Sequence, residues 1–283
     1  MKTILVDASS VLVPIALAQG DFELCTSKGV PTTYTYSFLQ EILTFGNLFK
    51  SNRFIIVFDS KTNLRKNIFP EYKAKRKERS PEIAERLNKL YSEIPFLRDV
   101  LTKIGFHCIS LDGYESDDII ASYIKSNQDI SFIIISSDHD MYQLMSERVE
   151  IYKPNKGRFF SLSDFNEKYP DLSPSDYWKI LSISGCRTDE VPSITGDKTA
   201  YKFVMNKLKK ESKAYQAIIN GKDTVKFVRR LVQLPFEGTP EYIVPDFKLN
   251  KVEFFNICQE LEFNYFLEKE FVTWCGFFSM RGS

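Results

Sequence analysis

The chain has 283 residues, of which 43% are hydrophobic and 27% are charged, a composition that predicts a folded globular protein and excludes a disordered one. With 38 Lys and Arg against 37 Asp and Glu, the formal charge is +1, which excludes a uniformly basic nucleic-acid coat but not local basic patches. The longest apolar runs, such as Ile130–Ile135, are far too short to span a membrane, and the amino terminus lacks the pattern of a signal peptide.

The first half of the chain alternates strand and helix patterns. Apolar runs typical of buried strands cover Thr3–Val6, Phe54–Phe58, Phe106–Leu111 and Phe132–Ile135. Apolar residues at helical spacing mark helices over Tyr34–Phe49 and about Ser116–Lys125. Continuous apolar strands separated by helices are typical of a parallel sheet covered on both faces. We therefore expect an α/β core over residues 1–160.

Beyond about residue 150 the pattern becomes mostly helical. Two short strand patterns, Glu150–Tyr152 and Arg158–Phe160, precede helices that we expect to begin near Ser163 and Ser173. A stretch punctuated by Gly and Pro follows over Gly185–Ala200, before Lys-rich helical sequence. Residues 161–280 are therefore expected to form a mainly helical region.

Acidic residues follow the predicted strands. These residues are Asp7, Asp59, Glu115, Asp117, Asp118, Asp138 and Asp140. The carboxyl ends of parallel strands lie along one edge of a sheet, where open α/β folds bind ligands. Carboxylates that converge there repel one another unless a cation neutralises them, and oxygen ligands without His or Cys select Mg²⁺ or Mn²⁺. A single Asp after a strand is usually a cap or turn residue. Acidic residues after all four predicted strands together indicate a divalent metal site.

Two basic segments stand out in this nearly neutral chain. Ser60–Arg79 holds eight Lys or Arg against two Glu, with aromatic residues among them, and Lys198–Arg230 is a second basic patch. Cations beside an aromatic ring suit single-stranded nucleic acid, although a basic run is more often only a solvated surface. Phosphate binding by such patches would depend strongly on salt. The candidate DNA-binding residues are Arg65, Tyr72, Lys198, Lys202, Lys209 and Lys210.

In their order along the chain, these motifs resemble those of the 5′-nucleases, a family that includes flap endonucleases and the 5′–3′ exonuclease domain of bacterial DNA polymerase I. The matching segments are Asp7, Val57–Ser60, Phe69–Arg76, Glu115–Asp118, Ser137–Asp140 and Gly185–Ala200. The last segment is similar to the family's helix–three-turn–helix DNA-binding motif. The length of the chain and the lack of a polymerase region resemble a stand-alone enzyme of bacteriophage or bacterial type.

The resemblance implies a particular architecture and a two-metal site. It implies a PIN-like α/β core over 1–160 with a mainly parallel sheet, a helical arch over about 61–98, and a helical region over 161–280 with the helix–three-turn–helix motif at about 176–205. It implies two Mg²⁺ or Mn²⁺ ions. The first would be held by Asp7, Asp59, Glu115 and Asp117 or Asp118, and the second by Asp138, Asp140 and Asp189.

The same resemblance assigns roles to three residues near the arch. Lys73 and Arg76 match the basic catalytic residues at the foot of the arch, through which a single-stranded 5′ end passes. Tyr72 matches an aromatic residue that stacks on the substrate.

The chain departs from the family pattern in two places. Cys186 follows Gly185 where the family usually has Asp, and a thiol is a poor ligand for Mg²⁺, so the second site loses one carboxylate. The family's Gly-Ile-Gly-x-Lys turn is shortened to Gly196-Asp197-Lys198, which bears on duplex anchoring and on a K⁺ site at this motif.

The expected function is metal-dependent 5′-nuclease activity on branched or 5′-ended DNA. The expected substrates are 5′ flaps, branched or nicked duplex and RNA–DNA hybrid, and the protein is expected to act as a monomer without a membrane partner. Five scattered cysteines favour reduced thiols and a cytoplasmic location. Two alternatives stay open: a DNA-structure-binding protein of the same fold with weakened catalysis, and a PIN-type ribonuclease.

Overall fold

A six-stranded sheet forms the centre of the molecule. The strands are β1 (Thr3–Asp7), β2 (Phe54–Val57), β3 (His107–Ile109), β4 (Phe132–Ile135), β5 (Val149–Lys153) and β6 (Arg158–Phe160). Their order is β3-β2-β1-β4-β5-β6, and all neighbours pair in parallel except β6, which is antiparallel to β5. This computed structural model describes residues 1–18, 23–77 and 80–280, apart from the side chains of Arg76 and Lys77.

Helices cover the sheet and form most of the second half of the chain. They are α1 (Ala8–Ala18), α2 (Thr33–Phe49), α3 (Arg65–Ile68), α4 (Pro81–Ile104), α5 (Ser116–Ser126), α6 (Leu162–Lys168), α7 (Tyr177–Ser184), α8 (Asp197–Val204), α9 (Lys213–Asn220), α10 (Lys222–Val232), α11 (Lys251–Glu260), α12 (Asn264–Glu268) and α13 (Phe271–Phe278). Short 3-10 turns lie at Ala74–Lys77, Asp140–Leu144, Pro154–Lys156, Pro174–Asp176 and Arg187–Asp189.

Capping residues fix the ends of helices α4 and α5. The Ser80 hydroxyl caps α4 by accepting a hydrogen bond from the Ile83 amide, with Pro81 at the first helical position. The same helix ends at Gly105, whose φ of 96° favours glycine. Glu115 and Asp118 form a capping box that starts α5, which fixes two of the predicted acidic residues at a helix terminus.

Both faces of the sheet are buried, as the continuous apolar strands predict. Ile4 and Val6 point to a core shared with α1, α2 and α4, whereas Leu5 points to a second core shared with α5, α6, α7 and α10. Alternate side chains of one strand thus contact different helical layers. Helices α11, α12 and α13 also pack on the first core, where Trp274 and Phe277 are fully buried.

The predicted fold class is confirmed: an α/β core with a mainly parallel sheet, followed by a helical region. Residues 251–278 nevertheless pack back on the core with α2 and α4, and the division at residue 160 stays a prediction.

No described helix combines the length and the apolar character needed to cross a membrane. All five cysteines are free.

Two features of the chain connections position the site. Strand order reverses at β1, with β2 on one side and β4 on the other, and ligands of open α/β sheets bind at this kind of switch point. Helices α7 and α8 pack together and are joined by a turn-rich segment over 185–196. The predicted arch falls on α3, the 3-10 turn after it and α4, while Glu78 and Arg79 lie outside the described residues.

Candidate metal centre and nucleic-acid interface

Asp7 lies at the end of β1 and is held by serine hydroxyls. Its two carboxylate oxygens accept hydrogen bonds from Ser9, Ser10, Ser116 and Ser136, at 2.6 to 3.2 Å between oxygens. The carboxylate is buried, yet donors surround it and fix its orientation. Sequence reasoning missed these serines, because a small polar residue carries no periodic signal.

Asp59 adjoins Asp7 through a shared partner. The Ser116 amide donates to Asp59 Oδ1 at 2.9 Å while the Ser116 hydroxyl donates to Asp7 Oδ1 at 3.2 Å. The side chain of Asp59 is exposed. We call the space between these acidic residues and those after β4, where the Lys73 ammonium lies, the cleft. Desolvation by the surrounding protein, followed by the negative charge of Asp7, raises the pKa of the Asp59 carboxyl. The structure therefore brings the acidic residues after β1 and β2 together.

Asp117 has the most unusual environment among the acidic residues of α5. Its Oδ1 atom is buried and has no hydrogen-bond partner in the part of the chain that the structure describes. Desolvation, followed by the charges of Asp118 and Glu115, raises the pKa of Asp117 well above its ordinary value. An unpartnered carboxylate oxygen among like charges is the environment that a bound cation would stabilise.

Asp118 and Arg65 form a buried ion pair. Arg65 Nη1 and Nη2 donate to Asp118 at 2.6 and 2.8 Å, and Arg65 Nε donates to the Leu231 carbonyl at 2.8 Å. Arg65 is 2% exposed and Asp118 is 0% exposed. These contacts correct two expectations, since Arg65 has no surface to offer DNA and Asp118 is already paired with a cation. Both residues connect α3, α5 and α10.

We expect Arg65→Ala to lower the free energy of unfolding by about 3–5 kcal/mol, because it leaves the buried carboxylate of Asp118 without its cation. Urea unfolding monitored by circular dichroism measures the loss. Lys66→Ala is the matched control, since Lys66 is exposed beside it. Equal stabilities of the two variants, with DNA affinity lost only in Arg65→Ala, would contradict the structural role.

Tyr72 is also buried, at 4% exposure, and its hydroxyl donates to Glu115 Oε2 at 2.8 Å. This corrects the expectation that its ring stacks on substrate: the ring packs inside the second core and its hydroxyl orients Glu115. Glu115 also pairs with Lys73 and, at 3.2 Å, with Arg65. Burial alone would raise its pKa, but Lys73 and Arg65 lower the pKa of Glu115 to about 2.

Lys73 lies between the two groups of acidic residues. Its ammonium pairs with Glu115 and lies 3.8 Å from Asp189 Oδ2, and its backbone amide donates to the Asp189 carbonyl at 3.1 Å. Its φ of 57° is in the left-handed region, which is strained for a residue with a side chain. The contact with Asp189 thus holds a strained backbone that aims the ammonium into the cleft. The predicted catalytic residue Arg76 has a side chain outside the described part of the chain.

The second acidic group combines residues after β4 with Asp189 from the α7–α8 connection. The Asp140 amide donates to Asp138 Oδ1 at 2.9 Å. Desolvation, followed by the charges of Asp138 and Asp189, raises the pKa of Asp140 well above its ordinary value. Asp138 and Asp189 thus lie close enough for their charges to act on Asp140, while the Lys73 ammonium lies 3.8 Å from Asp189.

Two residues that the sequence did not single out hold this loop. Ser136 accepts the Asp138 amide at 3.1 Å and donates to Asp7 at 3.0 Å, so it links the two groups. Lys153, only 3% exposed, donates to the carbonyls of Ser137 and Asp138 at 3.0 and 2.9 Å. Desolvation lowers the pKa of Lys153 to about 8. A lysine at the end of a strand is usually exposed. The sequence pattern therefore did not predict that Lys153 is buried and holds this loop.

Cys186 lies beside the second acidic group. Gly185 before it has a φ of 62°, and a Cβ there would lie 2.3 Å from the Pro192 carbonyl oxygen, so the close turn requires glycine. The thiol lies 3.1 Å from the Thr188 hydroxyl. Burial raises the pKa of the Cys186 thiol, with smaller contributions from Asp189 and Asp140. The thiol therefore shares the electrostatic environment of the acidic residues.

The predicted cations of the helical region are on the surface. Lys198 and Lys202 are exposed on α8, and Lys209 and Lys210 are exposed in the segment that follows. Gly196 and Asp197 begin α8 within the shortened turn. Contacts of these lysines with DNA and a K⁺ site at the turn stay predictions.

The donor set of the cleft fits a hard divalent cation. The atoms are carboxylate oxygens, and Asp117 Oδ1 is buried with no partner among the described residues. Desolvation, followed by neighbouring negative charges, raises the pKa of Asp59 and Asp140. Within residues 1–18, 23–77 and 80–280, no three His, Cys, Asp or Glu side chains are arranged to coordinate one metal ion together. Glu115 and Asp118 instead pair with Lys73 and Arg65.

The chain is similar to known nucleases. A family model described as "5′-3′ exonuclease, N-terminal resolvase-like domain" matches residues 2–170. The 5′-3′ exonuclease of Buchnera aphidicola subsp. Schizaphis graminum is 31% identical over 212 residues, which cover 74% of this chain and 68% of that protein. The 5′-3′ exonuclease of Aquifex aeolicus is 28% identical over 251 residues, 84% of each chain.

A solved structure shares the fold. The bacteriophage T5 D15 flap endonuclease, solved with DNA and metal ions, superposes with a TM-score of 0.71 at 18% identity over 83% of this chain and 90% of that one. A further structure of the T5 5′-exonuclease holds zinc. Structural neighbours therefore bind divalent metal ions and DNA. On the family match and the Buchnera relative, the chain belongs to the 5′–3′ exonuclease family.

Proposed function

We propose that this chain is a divalent-metal-dependent 5′-nuclease that hydrolyses phosphodiester bonds in branched or 5′-ended DNA. The observation that carries the proposal is the pair of acidic groups at one sheet edge, bridged by the Lys73 ammonium. One group follows β1, β2 and β3, and the other joins residues after β4 with Asp189. Membership of the 5′–3′ exonuclease family supports the same chemistry.

Each acidic group would hold one Mg²⁺ or Mn²⁺ ion. Asp7, Asp59 and Asp117 would hold the first beside Glu115, and Asp138, Asp140 and Asp189 the second. When bound, such ions supply Lewis-acid polarisation of the scissile phosphodiester. The serines around Asp7 and the Lys153 ammonium hold the carboxylates and their loop in place before substrate arrives.

The chain's own cations would act on the DNA. Lys73 sits in the cleft between the acidic groups, where its charge would stabilise the negative charge that develops on the phosphate. The exposed lysines Lys198, Lys202, Lys209 and Lys210 would bind backbone phosphates of the duplex outside the cleft. Phosphate contacts of this kind position the DNA without reading its sequence.

The test is cleavage of a labelled 5′-flap DNA in Mg²⁺, in Mn²⁺ and in EDTA. We expect release of the 5′ flap with either metal and none in EDTA, with a 3′ flap as the control substrate. Tight DNA binding without metal-dependent cleavage would instead indicate a DNA-structure-binding protein. Cleavage of single-stranded RNA in preference to flap DNA would indicate a ribonuclease.

Cys186 gives a prediction for the second ion. We expect Cys186→Asp to lower the Mg²⁺ concentration needed for half-maximal cleavage, because it adds a hard oxygen beside Asp140 and Asp189. In the unaltered protein, Mn²⁺ should restore activity at lower concentration than Mg²⁺. Titration of each metal against single-turnover rate measures both effects, with DNA affinity in EDTA as the control. Coincident Mg²⁺ curves for the two proteins would show that this position does not affect the limiting ion.

A further inference from the structure

A cavity of about 790 Å³ opens at the edge of the sheet opposite the cleft, and ligand pockets usually measure about 300–1,000 Å³. Lys2, Arg53 and Ser131 line it and directly precede β1, β2 and β4, whose other ends lead to the acidic residues. Over the five residues of β1, at about 3.3 Å per residue, Asp7 lies about 16 Å from this edge. We call this space, which is separate from the cleft, the rear cavity; its lining also includes Leu48, Phe49, Lys50, Asp129 and Phe159.

One part of the lining is apolar and partly exposed. Leu48 and Phe49 lie at the end of α2, and Phe159 belongs to β6. The ring centres of Phe49 and Phe159 are 5.5 Å apart, and 52% of Leu48 and 38% of Phe159 are exposed. An exposed aromatic ring beside an exposed leucine is a surface on which a nucleobase can stack.

Lys50 has a backbone conformation that favours glycine. It ends α2 with a φ of 53° and a ψ of 45°, in the left-handed region, where a side chain is strained. Glycine would relieve this strain but would remove the ammonium group. The Lys50 side chain is exposed, and no carboxylate among the described residues pairs with it. The strained position thus presents an unpaired cation at the rear cavity.

Arg53 carries a buried donor without an acceptor. Its Nε atom is buried and donates no hydrogen bond within the described part of the chain. Its guanidinium lies 4.9 Å from the centre of the Phe247 ring, which restricts the orientation of the guanidinium plane. A planar guanidinium with unused donors suits the oxygen atoms of a phosphate. Arg53 therefore adds a second cation that has no ionic partner among the described side chains.

Asp129 gives the rear cavity an acceptor of hydrogen bonds. Its carboxylate is exposed and pairs with no cation in the described structure, whereas Lys2 and Glu150 pair with each other. A carboxylate accepts hydrogen bonds from sugar hydroxyls and from the amino groups of bases. It also repels the successive phosphates of a polynucleotide. These charges favour a ligand that combines one phosphate with several donor groups.

We propose that the rear cavity binds a nucleoside monophosphate. Lys50 and Arg53 hold the phosphate, Phe159 stacks on the base, and the Asp129 carboxylate accepts hydrogen bonds from the sugar or the base. The choice of ligand rests on the proposed function, because exonucleolytic hydrolysis of DNA releases nucleotides of this class. A phosphorylated DNA end has the same chemistry, but its further phosphates would be repelled by Asp129 and Glu150. The free mononucleotide is therefore favoured.

The test is calorimetric titration of 2′-deoxyadenosine 5′-monophosphate into the full chain in EDTA. We expect saturable binding that is about tenfold weaker in K50Q, which loses a charged contact with phosphate. It should be about tenfold weaker in F159A too, which loses the stacking surface. The control K125Q/K269Q removes two exposed charges elsewhere and should bind like the unaltered protein. Should F159A lower the melting temperature, K50Q carries the test, since its side chain is exposed.

Four further titrations identify what the rear cavity recognises. Inorganic phosphate and deoxyadenosine should each bind about tenfold more weakly than the mononucleotide, because each lacks one group of contacts. A hexadeoxyadenylate with a 5′-phosphate should also bind more weakly, since its extra phosphates meet the carboxylates. Saturating flap DNA should leave the Kd of the mononucleotide unchanged, because the rear cavity lies at the opposite edge from the cleft.

Several results would overturn the proposal. Absence of saturable binding up to about 10 mM mononucleotide would do so, as would equal Kd values in K50Q and the unaltered protein. Equal affinity for inorganic phosphate would indicate a site for anions alone, and tighter binding of the hexanucleotide would assign the cavity to DNA ends. Displacement of the mononucleotide by flap DNA would place it on the DNA-binding surface. Absence of cleavage by the unaltered protein would count against the proposed function alone, because the titrations in EDTA do not depend on cleavage.

Discussion

Asp117→Asn is expected to reduce cleavage by about 10³-fold or more while DNA binding stays equal or becomes tighter. Loss of a metal-holding carboxylate removes several kcal/mol of transition-state stabilisation. The buried Asp117 Oδ1 has no hydrogen-bond partner in the described structure, so the amide removes no contact at that atom. One fewer negative charge in the cleft also reduces repulsion of the phosphates.

The stability of Asp117→Asn without metal should be equal to or higher than that of the unaltered protein at neutral pH. The folded pKa of Asp117 is raised, so this carboxyl destabilises the native state progressively as pH rises through and above its ordinary value. Removal of the titrating group removes that effect. Thermal melting in EDTA at pH 5 and pH 8 measures it, and the advantage of the variant should be larger at pH 8.

The neighbouring residue provides a matched control. Asp118→Asn removes the ionic partner of buried Arg65 and should lower the melting temperature, whereas Asp117→Asn should not. Two adjacent acidic residues of one helix would then have different roles, since Asp117 would act in catalysis and Asp118 in stabilising the fold. Unchanged single-turnover cleavage in Asp117→Asn would remove Asp117 from the metal centre.

The convergence of the acidic groups could be predicted from sequence because it follows from topology. Parallel strands end at one edge, so Asp7 after β1 and Asp59 after β2 adjoin wherever the strand patterns are recognised. The register of Asp7 with Val57 places Asp59 two residues beyond the pairing. This argument needs only strand direction and the position of each acid after its strand.

The partners of the cations could not be predicted in this way. Arg65 lies in a basic segment typical of a solvated surface, but its partners are Asp118, 53 residues away, and Leu231, 166 residues away. Only the packing of α3 against α5 and α10 buries it. Tyr72 is similar, since its role depends on the position of Glu115, 43 residues along the chain. Local pattern does not encode which distant group neutralises a charge.

The packing of helices α11 to α13 on the first core could not be predicted from the sequence either. Helices α11 to α13 carry many aromatic residues, and Phe254, Phe266 and Trp274 contact one another in the first core. Aromatic content predicts burial but not which face of the sheet receives it. Their return to the core separates them from the basic surface of α8 and α10.

Lys73→Ala is expected to lower the single-turnover rate by about 10²–10³-fold, the usual effect of removing one electrostatic donor from an active site. Lys73 pairs with Glu115 in the free protein and lies 3.8 Å from Asp189, so its ammonium is already positioned between the two acidic groups. Its removal should also raise the pKa of Glu115, since the Lys73 charge is the largest effect that lowers it. Affinity for DNA in EDTA should weaken only a few-fold, because one phosphate contact is a small part of a multi-contact interface.

Replacement of Lys209 and Lys210 by Ala should give the opposite pattern. Both side chains are exposed outside the cleft, so Kd should rise and the salt slope should fall by up to about 1.8, while the single-turnover rate at saturating enzyme stays nearly unchanged. Rapid-quench cleavage and anisotropy titrations over a range of salt measure the two quantities separately. If Lys73→Ala and the surface variant change rate and affinity in the same proportion, the distinction between a catalytic and an anchoring cation is wrong. In that case the position of Lys73 between the acidic groups serves to neutralise them in the free protein.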